Sequence, residues 1–473
     1  MKKVIIIGAG PAGLSCAYQL SKENFEVIVF EASNNIGGMS RSFQLWGQIV
    51  DLGPHRFFSK QPDVNRFFNE LIKEDFTLVN RQTRIFYNGK YFQYPLKIGN
   101  VLKNLSFITI FQILWDYFIK IVFPLKNTKN LEEWISNRFG KKLYTIFFKH
   151  YSEKLWGIKC TQIDADWAAQ RIKTLSLAQA VISAFLSNKG NKHKTLVDQF
   201  AYPNNGTGTL YERAAEAIKK QNSNIHFNSK IKRVLLDESN KIALGVELLN
   251  GDIIESDYVI STMPLTSLLK GFNNTPKKVI DSINTLYFRN TILVYLEIDK
   301  ENLFSDNWLY IHSPDVKLGR ITNFRNWCPS LNKGKSSTII ALEYWCFESD
   351  TIWSEKDKNI IEMAVKELHI IDLLDKNVTP INSKIIRVPN CYPVYETGYQ
   401  QNLDIVIKHL KKIENLLPIG RYGSFKYNNQ DHSILMGLLA AKKITNNDTI
   451  DLWSVNTDTE YQEDAKVKDV LIY

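Results

Sequence analysis

Val4-Ile5-Ile6-Ile7-Gly8-Ala9-Gly10-Pro11-Ala12-Gly13, followed by Glu26-Val27-Ile28-Val29-Phe30-Glu31, is the passage from which the architecture can be read. A β-branched run stops at a cluster of glycines. Leu14 to Leu20 then carries helical spacing, and a second β-rich run ends on an acid. Strand, tight turn, helix and strand within about 30 residues predict a parallel βαβ unit. Each glycine has a mechanical role. Gly8 permits the turn, Gly10 lets backbone approach a pyrophosphate, and Gly13 lets the helix pack close to the strand. Pro11 and Ala12 open the helix, whose first N–H groups face the phosphates. Glu31 ends the second strand, where a carboxylate accepts hydrogen bonds from a ribose. The passage therefore predicts dinucleotide binding.

Working outward, Ile36-Gly37-Gly38-Met39-Ser40-Arg41 places a second glycine turn beside a cation soon after that acid. This suits a larger, bent cofactor whose pyrophosphate and ribityl chain need extra contacts. Residues 91–200 turn helical and aromatic. Ile231 to Leu236, Ile242 to Leu249 and Tyr258 to Ile260 read as short strands, with a hairpin turn at Asn250-Gly251-Asp252. Thr291 to Ile298 and Ser337 to Trp345 read as longer strands, and Ser433 to Ile444 as an apolar helix after Pro418-Ile419-Gly420.

GxGxxG, a glutamate and GG-x-x-R together resemble the FAD-binding entry of the amine oxidase, protoporphyrinogen oxidase and UDP-galactopyranose mutase flavoproteins. Gly420-Arg421-Tyr422-Gly423, running on to Asn429-Gln430-Asp431 before an apolar helix, resembles the distant segment that closes the flavin site in that group. Val234 falls near the group's adenine contact. The resemblance spans residues 3–445. It implies an α/β fold with an FAD-binding Rossmann-type (glutathione reductase-like) domain, a helical insertion and a β-sheet substrate domain. The expected division is 1–90, 200–275 and 400–445 for the FAD domain, 91–199 for the helical insertion and 276–399 for the β-rich part. A polar tail occupies 446–473. The implied cofactor is FAD, held by Gly8, Gly10, Pro11, Ala12, Gly13, Glu31, Gly37, Gly38, Arg41, Val234, Gly420, Arg421, Asn429 and Asp431.

Three further pieces resemble the mutase branch: Gly53-Pro54-His55-Arg56-Phe57-Phe58, Tyr94-Pro95-Leu96, and Tyr151-Ser152-Glu153-Lys154-Leu155-Trp156-Gly157 with Arg171 downstream. The resemblance implies that Trp156 stacks on a base. It implies that Arg171 and Arg289 hold a diphosphate, that Tyr427 touches the phosphates and that His55 stands near the flavin. Forked arginine donors and neutral tyrosine donors do suit a diphosphate. Each residue keeps a plainer reading. Trp156 and Tyr427 could be core aromatics, Arg171 and Arg289 ion-pair partners, and His55 a structural histidine. Tyr344 and Tyr392 are weaker substrate-binding candidates, better read as core. Phe58 stands where the mutases carry a second histidine.

Two chemistries follow from the resemblance. In one, the substrate is a nucleotide-diphosphate sugar of cell-surface polysaccharide synthesis, and reduced flavin N5 serves as nucleophile in a pyranose/furanose isomerisation. In the other, hydride passes from substrate to flavin as in amine or protoporphyrinogen oxidases. A flavin-binding but catalytically silent protein is a third class.

The composition bounds the rest. The chain has 473 residues, 59 Lys+Arg and 49 Asp+Glu, for a net charge of +10. The basic residues are dispersed, without a run interleaved with aromatics, so a nucleic-acid partner is not expected. Five scattered cysteines with no CxxC pair suit a reducing, cytoplasmic setting and argue against structural zinc. The eight histidines include no HExxH, so no metal site is expected. The four apolar residues Val4 to Ile7 are too few for a secretory signal. Phe107 to Phe123 is the most hydrophobic stretch, but Gln112, Asp116 and Lys120 interrupt it as one polar stripe. A transmembrane segment is therefore not expected. A helix buried in the molecule is, with peripheral contact to a membrane surface or a lipid substrate as the alternative.

Overall fold

The computed structural model describes residues 1–94, 96, 98–165, 199–221, 223–446 and 448–456. Five parallel strands carry the nucleotide motif, in the order Leu416–Pro418, Tyr258–Ser261, Lys2–Ile7, Phe25–Phe30, Asn224–His226. Lys2–Ile7 is central, which explains its unbroken β-branched run: a strand covered on both faces has no polar side. Val4 and Ile6 pack with the helices Pro11–Ser21, Thr209–Lys220 and Gln430–Asn446. Ile5 and Ile7 pack on the opposite side, against the antiparallel strands Ile231–Leu236 and Ala243–Leu248 and the helix Tyr399–Leu410. Residues from both ends of the chain thus meet in one sheet.

A second, seven-stranded sheet has the order Asn382–Pro393, Phe288–Ile298, Thr338–Cys346, Arg320–Asn323, Trp308–Ile311, Thr83–Tyr87, Lys90–Gln93. Its pairings are antiparallel except that of Trp308–Ile311 with Thr83–Tyr87. The expected first FAD segment, 1–90, therefore ends on strands that belong to this other sheet. The helix Asp357–Ile370 covers one face, with Ile292, Val294, Ile340 and Leu342 between. The opposite face looks toward the nucleotide motif.

The helices Phe107–Val122, Leu131–Phe139 and His150–Trp156 belong to the expected helical insertion. Phe107–Val122 departs from expectation. It is not buried: Ile113 alone of its residues is enclosed, while Phe107, Phe111, Trp115 and Phe118 are exposed. Part of the polar stripe faces the protein instead. The turn at Gly140 comes within van der Waals range of Asp116, and the Asp116 carboxylate accepts the Lys142 N–H at 2.8 Å. A helix start needs an acceptor for its free N–H groups, and Asp116 supplies one to the short helix Lys141–Tyr144.

The polar tail is anchored over its first part. Leu452 and Val455 are buried, and Lys426 Nζ donates to the Val455 carbonyl at 2.7 Å. Residues 457–473 lie outside the described residues.

Candidate active site

A cavity of about 1400 Å³ lies between the two sheets. At one end it is walled by Gly8, Gly10, Pro11, Ala12, Glu31 and Gly38. The two glycine turns meet backbone to backbone: a Cβ on Gly38 would stand 3.2 Å from the Gly10 Cα. The Gly37 N–H donates to the Ala9 carbonyl at 2.9 Å and fixes the second turn against the first. No side chain among the described residues caps the helix that starts after Gly10, so its first N–H groups are left for an anion. The Glu31 carboxylate accepts the Ala9 N–H at 2.9 Å and the Ser33 hydroxyl at 2.8 Å, which fixes it as an acceptor at the strand end.

The middle of the cavity is walled by Gly420, Arg421, Asn429, Phe58 and His55. Arg421 donates through Nε to the Cys391 carbonyl at 2.7 Å and through Nη1 to the Asn428 carbonyl at 3.0 Å, while its buried Nη2 has no partner among the described residues. A buried donor left over beside a nucleotide cradle fits an electron-rich cofactor ring or phosphate. His55 Nδ1 lies 3.1 Å from the Gly53 carbonyl, so the neutral ring donates there and keeps Nε2 as an acceptor. Burial, with Arg320 and Arg421 nearby, lowers its pKa to about 4, so His55 is neutral at pH 7.

Beyond lie Tyr392, Tyr427, Tyr151, Arg320 and Glu343. Arg421 stacks on the rings of both Tyr392 and Tyr427, at 4.7 and 4.5 Å. Arg320 grips Glu343 through two bonds of 2.7 Å and donates to the Tyr392 hydroxyl at 3.4 Å. Burial opposes the Arg320 charge, but Glu343 and the surrounding tyrosines hold it protonated well above the usual range. Burial likewise raises the Tyr151 and Tyr392 phenols, which stay neutral donors.

The model of the flavin containing amine oxidoreductases matches residues 11–371. The chain belongs to this family. It is an FAD-dependent enzyme, and the cradle, the strand-end acid and the free Arg421 donor fit that cofactor. It is similar to the coproporphyrinogen III oxidase of Staphylococcus aureus, at 22% identity over 94% of this chain and 99% of the relative. A shorter stretch, 35% of this chain and 43% of the relative, is 26% identical to a probable UDP-galactopyranose mutase of Klebsiella pneumoniae. Among solved structures, a reduced UDP-galactopyranose mutase superposes with a TM-score of 0.82 at 22% identity, covering 97% of this chain and 98% of that one. A putative protoporphyrinogen oxidase from Exiguobacterium gives 0.73 at 15% identity, covering 94% and 99%. At such identities these structures speak for the fold.

Several residues of this flavoenzyme sit elsewhere than their motifs imply. Arg289 is not on the cavity wall. It donates to the carbonyls of Trp345 at 2.7 Å, Lys154 at 3.2 Å and Leu155 at 3.3 Å, pairs with Asp350 and stacks over Phe347. Its donors are spent tying the His150–Trp156 helix end to the sheet. Replacing Arg289 with alanine is therefore expected to lower stability by about 1–3 kcal/mol per orphaned carbonyl, while substrate KM holds. Denaturant melts and steady-state kinetics check this, and a raised KM at unchanged stability would contradict it.

Trp156 is fully buried behind the wall. Its ring lies 5.9 Å from Tyr427 and 6.4 Å from Tyr392, backing the two residues that do line the cavity. Tyr344 points to the far face of its strand, against the Asp357–Ile370 helix, because strand side chains alternate and Glu343 takes the cavity side. Val234 is core, and Ser229, Lys230 and Ile231 supply the wall at that strand. Gly13, Gly37, Arg41 and Asp431 are not among the lining residues. Gly13 packs on Gly8, and Asp431 is buried in the first turn of Gln430–Asn446. Arg171 falls outside the described residues. The sequence motifs did not single out Arg320 or Glu343. A lone carboxylate inside the apolar run Ile339-Ile340-Ala341-Leu342-Glu343-Tyr344 was the available signal, since such a group needs a buried partner.

Proposed function

We propose that this flavoenzyme isomerises a glycosyl diphosphate, in the manner of a sugar ring-size mutase, in the assembly of cell-surface polysaccharide. The observation that carries this reading is the donor wall of Arg320, Tyr392 and Tyr427 beside Arg421. FAD, when bound, supplies either a nucleophilic ring nitrogen in its reduced form or a hydride acceptor in its oxidised form. Around it, the tyrosine hydroxyls and Arg320 bind the diphosphate and offset the charge that grows as the sugar–oxygen bond loosens. Neutral His55 presents an acceptor to a sugar hydroxyl without adding charge beside the ring. Support for the nucleoside half of the substrate is thinner, because Trp156 backs the wall instead of forming it.

The five cysteines are free and buried, which suits a reducing compartment, and we place the enzyme in the cytoplasm. Phe58 on the cavity wall and the apolar lining near Phe147 and Leu143 favour the second reading, net oxidation of an apolar substrate. Stoichiometry separates the two. Holoenzyme, chemically reduced or left oxidised, is incubated with a panel of sugar diphosphates while product and oxygen are measured. The mutase reading expects turnover only after reduction and no oxygen use per turnover. Equal turnover with oxidised flavin, or one oxygen consumed per product, overturns it.

A further inference from the structure

The Phe107–Val122 helix presents an apolar stripe that no described element covers. Phe107, Phe111, Trp115 and Phe118 are 84%, 62%, 55% and 56% exposed and recur every third or fourth residue. Phe123 and Leu125 extend the stripe past the helix end. Exposed apolar surface of this continuity marks a partner, and two observations say which. The first is charge. Residues 98–150 contain eight Lys or Arg against three Asp or Glu, and Lys103, Lys126, Lys129 and Lys141, close to the stripe in sequence, are exposed. Aromatic residues on one face with lysines at the edges are the make-up of a helix lying in an anionic lipid interface. Spanning is ruled out for this helix by length: its 16 residues reach about 24 Å, against the ~20 apolar residues a bilayer needs.

The second observation is continuity. The same helix lines, through Ile110, Ile113 and the half-exposed Leu114, the cavity that reaches Gly8 and Arg421, and Val101, Leu102 and Phe147 complete this apolar vestibule. A nucleoside finds few partners there, whereas a hydrocarbon chain finds a lined path.

We propose that this helix seats the enzyme on an anionic bilayer, and that the vestibule beneath it takes the apolar chain of a membrane-borne substrate whose phosphate end meets the donor wall. The second half rests on the glycosyl diphosphate reading; the first does not.

The test uses full-length holoenzyme. It is sedimented with phosphatidylcholine vesicles, with or without phosphatidylglycerol. Separately, dodecyl phosphate and inorganic phosphate are titrated against the flavin absorbance. At least tenfold more protein is expected on the anionic vesicles, and at least a tenfold lower half-saturation for dodecyl phosphate. Phe111→Glu with Trp115→Glu should abolish sedimentation while keeping flavin content and melting temperature. Lys126→Glu with Lys129→Glu, which removes no apolar surface, should weaken binding to the anionic vesicles only. No association with either vesicle, association indifferent to Phe111 and Trp115, or a concentration-dependent dimer broken by the same variant each overturns the membrane seat. Dodecyl phosphate binding no better than phosphate overturns the vestibule. Neither readout requires turnover, so a failed isomerisation assay leaves the membrane seat standing, and the dodecyl phosphate titration reports on the vestibule separately from that assay.

Discussion

Replacing Gly13 with alanine is expected to yield a protein that purifies without its yellow cofactor. A Cβ at this position would stand 2.0 Å from the Gly8 carbonyl oxygen. Backbone, unlike the end of a long side chain, cannot swing aside, so either the helix Pro11–Ser21 or the Gly8 turn must move. The helix is held, since Leu14, Cys16 and Ala17 are fully buried in the core shared with Gln430–Asn446. The turn is also held: Gly8 adopts φ +101°, its N–H donates to the Phe30 carbonyl at 2.8 Å, and a Cβ there would meet Thr262 Oγ1. Overpacking of this kind costs about 1–3 kcal/mol, and here the cost falls on the loop we propose as the pyrophosphate cradle. Flavin affinity should drop by about ten- to a hundredfold, with a lower melting temperature that added FAD only partly restores. Flavin content equal to wild type after gel filtration would show that the turn is not the pyrophosphate cradle.

The nucleotide-binding half was legible because its signals are local and redundant. A β-branched run with no polar alternation means a strand covered on both faces, and three glycines at fixed spacing have few other uses. The return of residues 416–446 to the same sheet was readable only through its resemblance to other flavoproteins, since no local pattern says that Leu417 pairs with Ile260. On the substrate side His55, Tyr392 and Tyr427 line the cavity, while Arg289, Trp156 and Tyr344 do not, and the reason is a different one. A motif gives position along the chain, not the face a side chain takes. Tyr344 and Glu343 are neighbours, yet one enters the core and the other the cavity. Arg289 lies in a strand whose every residue is buried, so its charge had to be met by nearby carbonyls before it could serve a ligand. Phe107–Val122 shows the same limit in a helix: hydropathy divides its two faces but does not say which one the protein keeps.

Breaking the Arg320–Glu343 pair is expected to be more damaging than removing it. The two are direct cross-strand partners, joined by two bonds of 2.7 Å, with side chains 16% and 2% exposed. Arg320→Met would leave the Glu343 carboxylate enclosed without its counter-charge, and Glu343→Leu would leave a guanidinium in the same state. Each is expected to cost about 3–5 kcal/mol in urea unfolding, whereas the double variant, apolar on both strands, should lie within about 1–2 kcal/mol of wild type. Such non-additivity is what a coupled buried pair produces. Activity should separate from stability in the same series. The double variant lacks the donor that reaches the Tyr392 hydroxyl, so it should fold and bind flavin yet hold an anionic substrate at least tenfold more weakly, a loss of about 1.4 kcal/mol. Additive losses in the double variant would mean the pair is not coupled. Wild-type substrate affinity in that variant would remove Arg320 from the binding wall and leave it as sheet scaffolding alone.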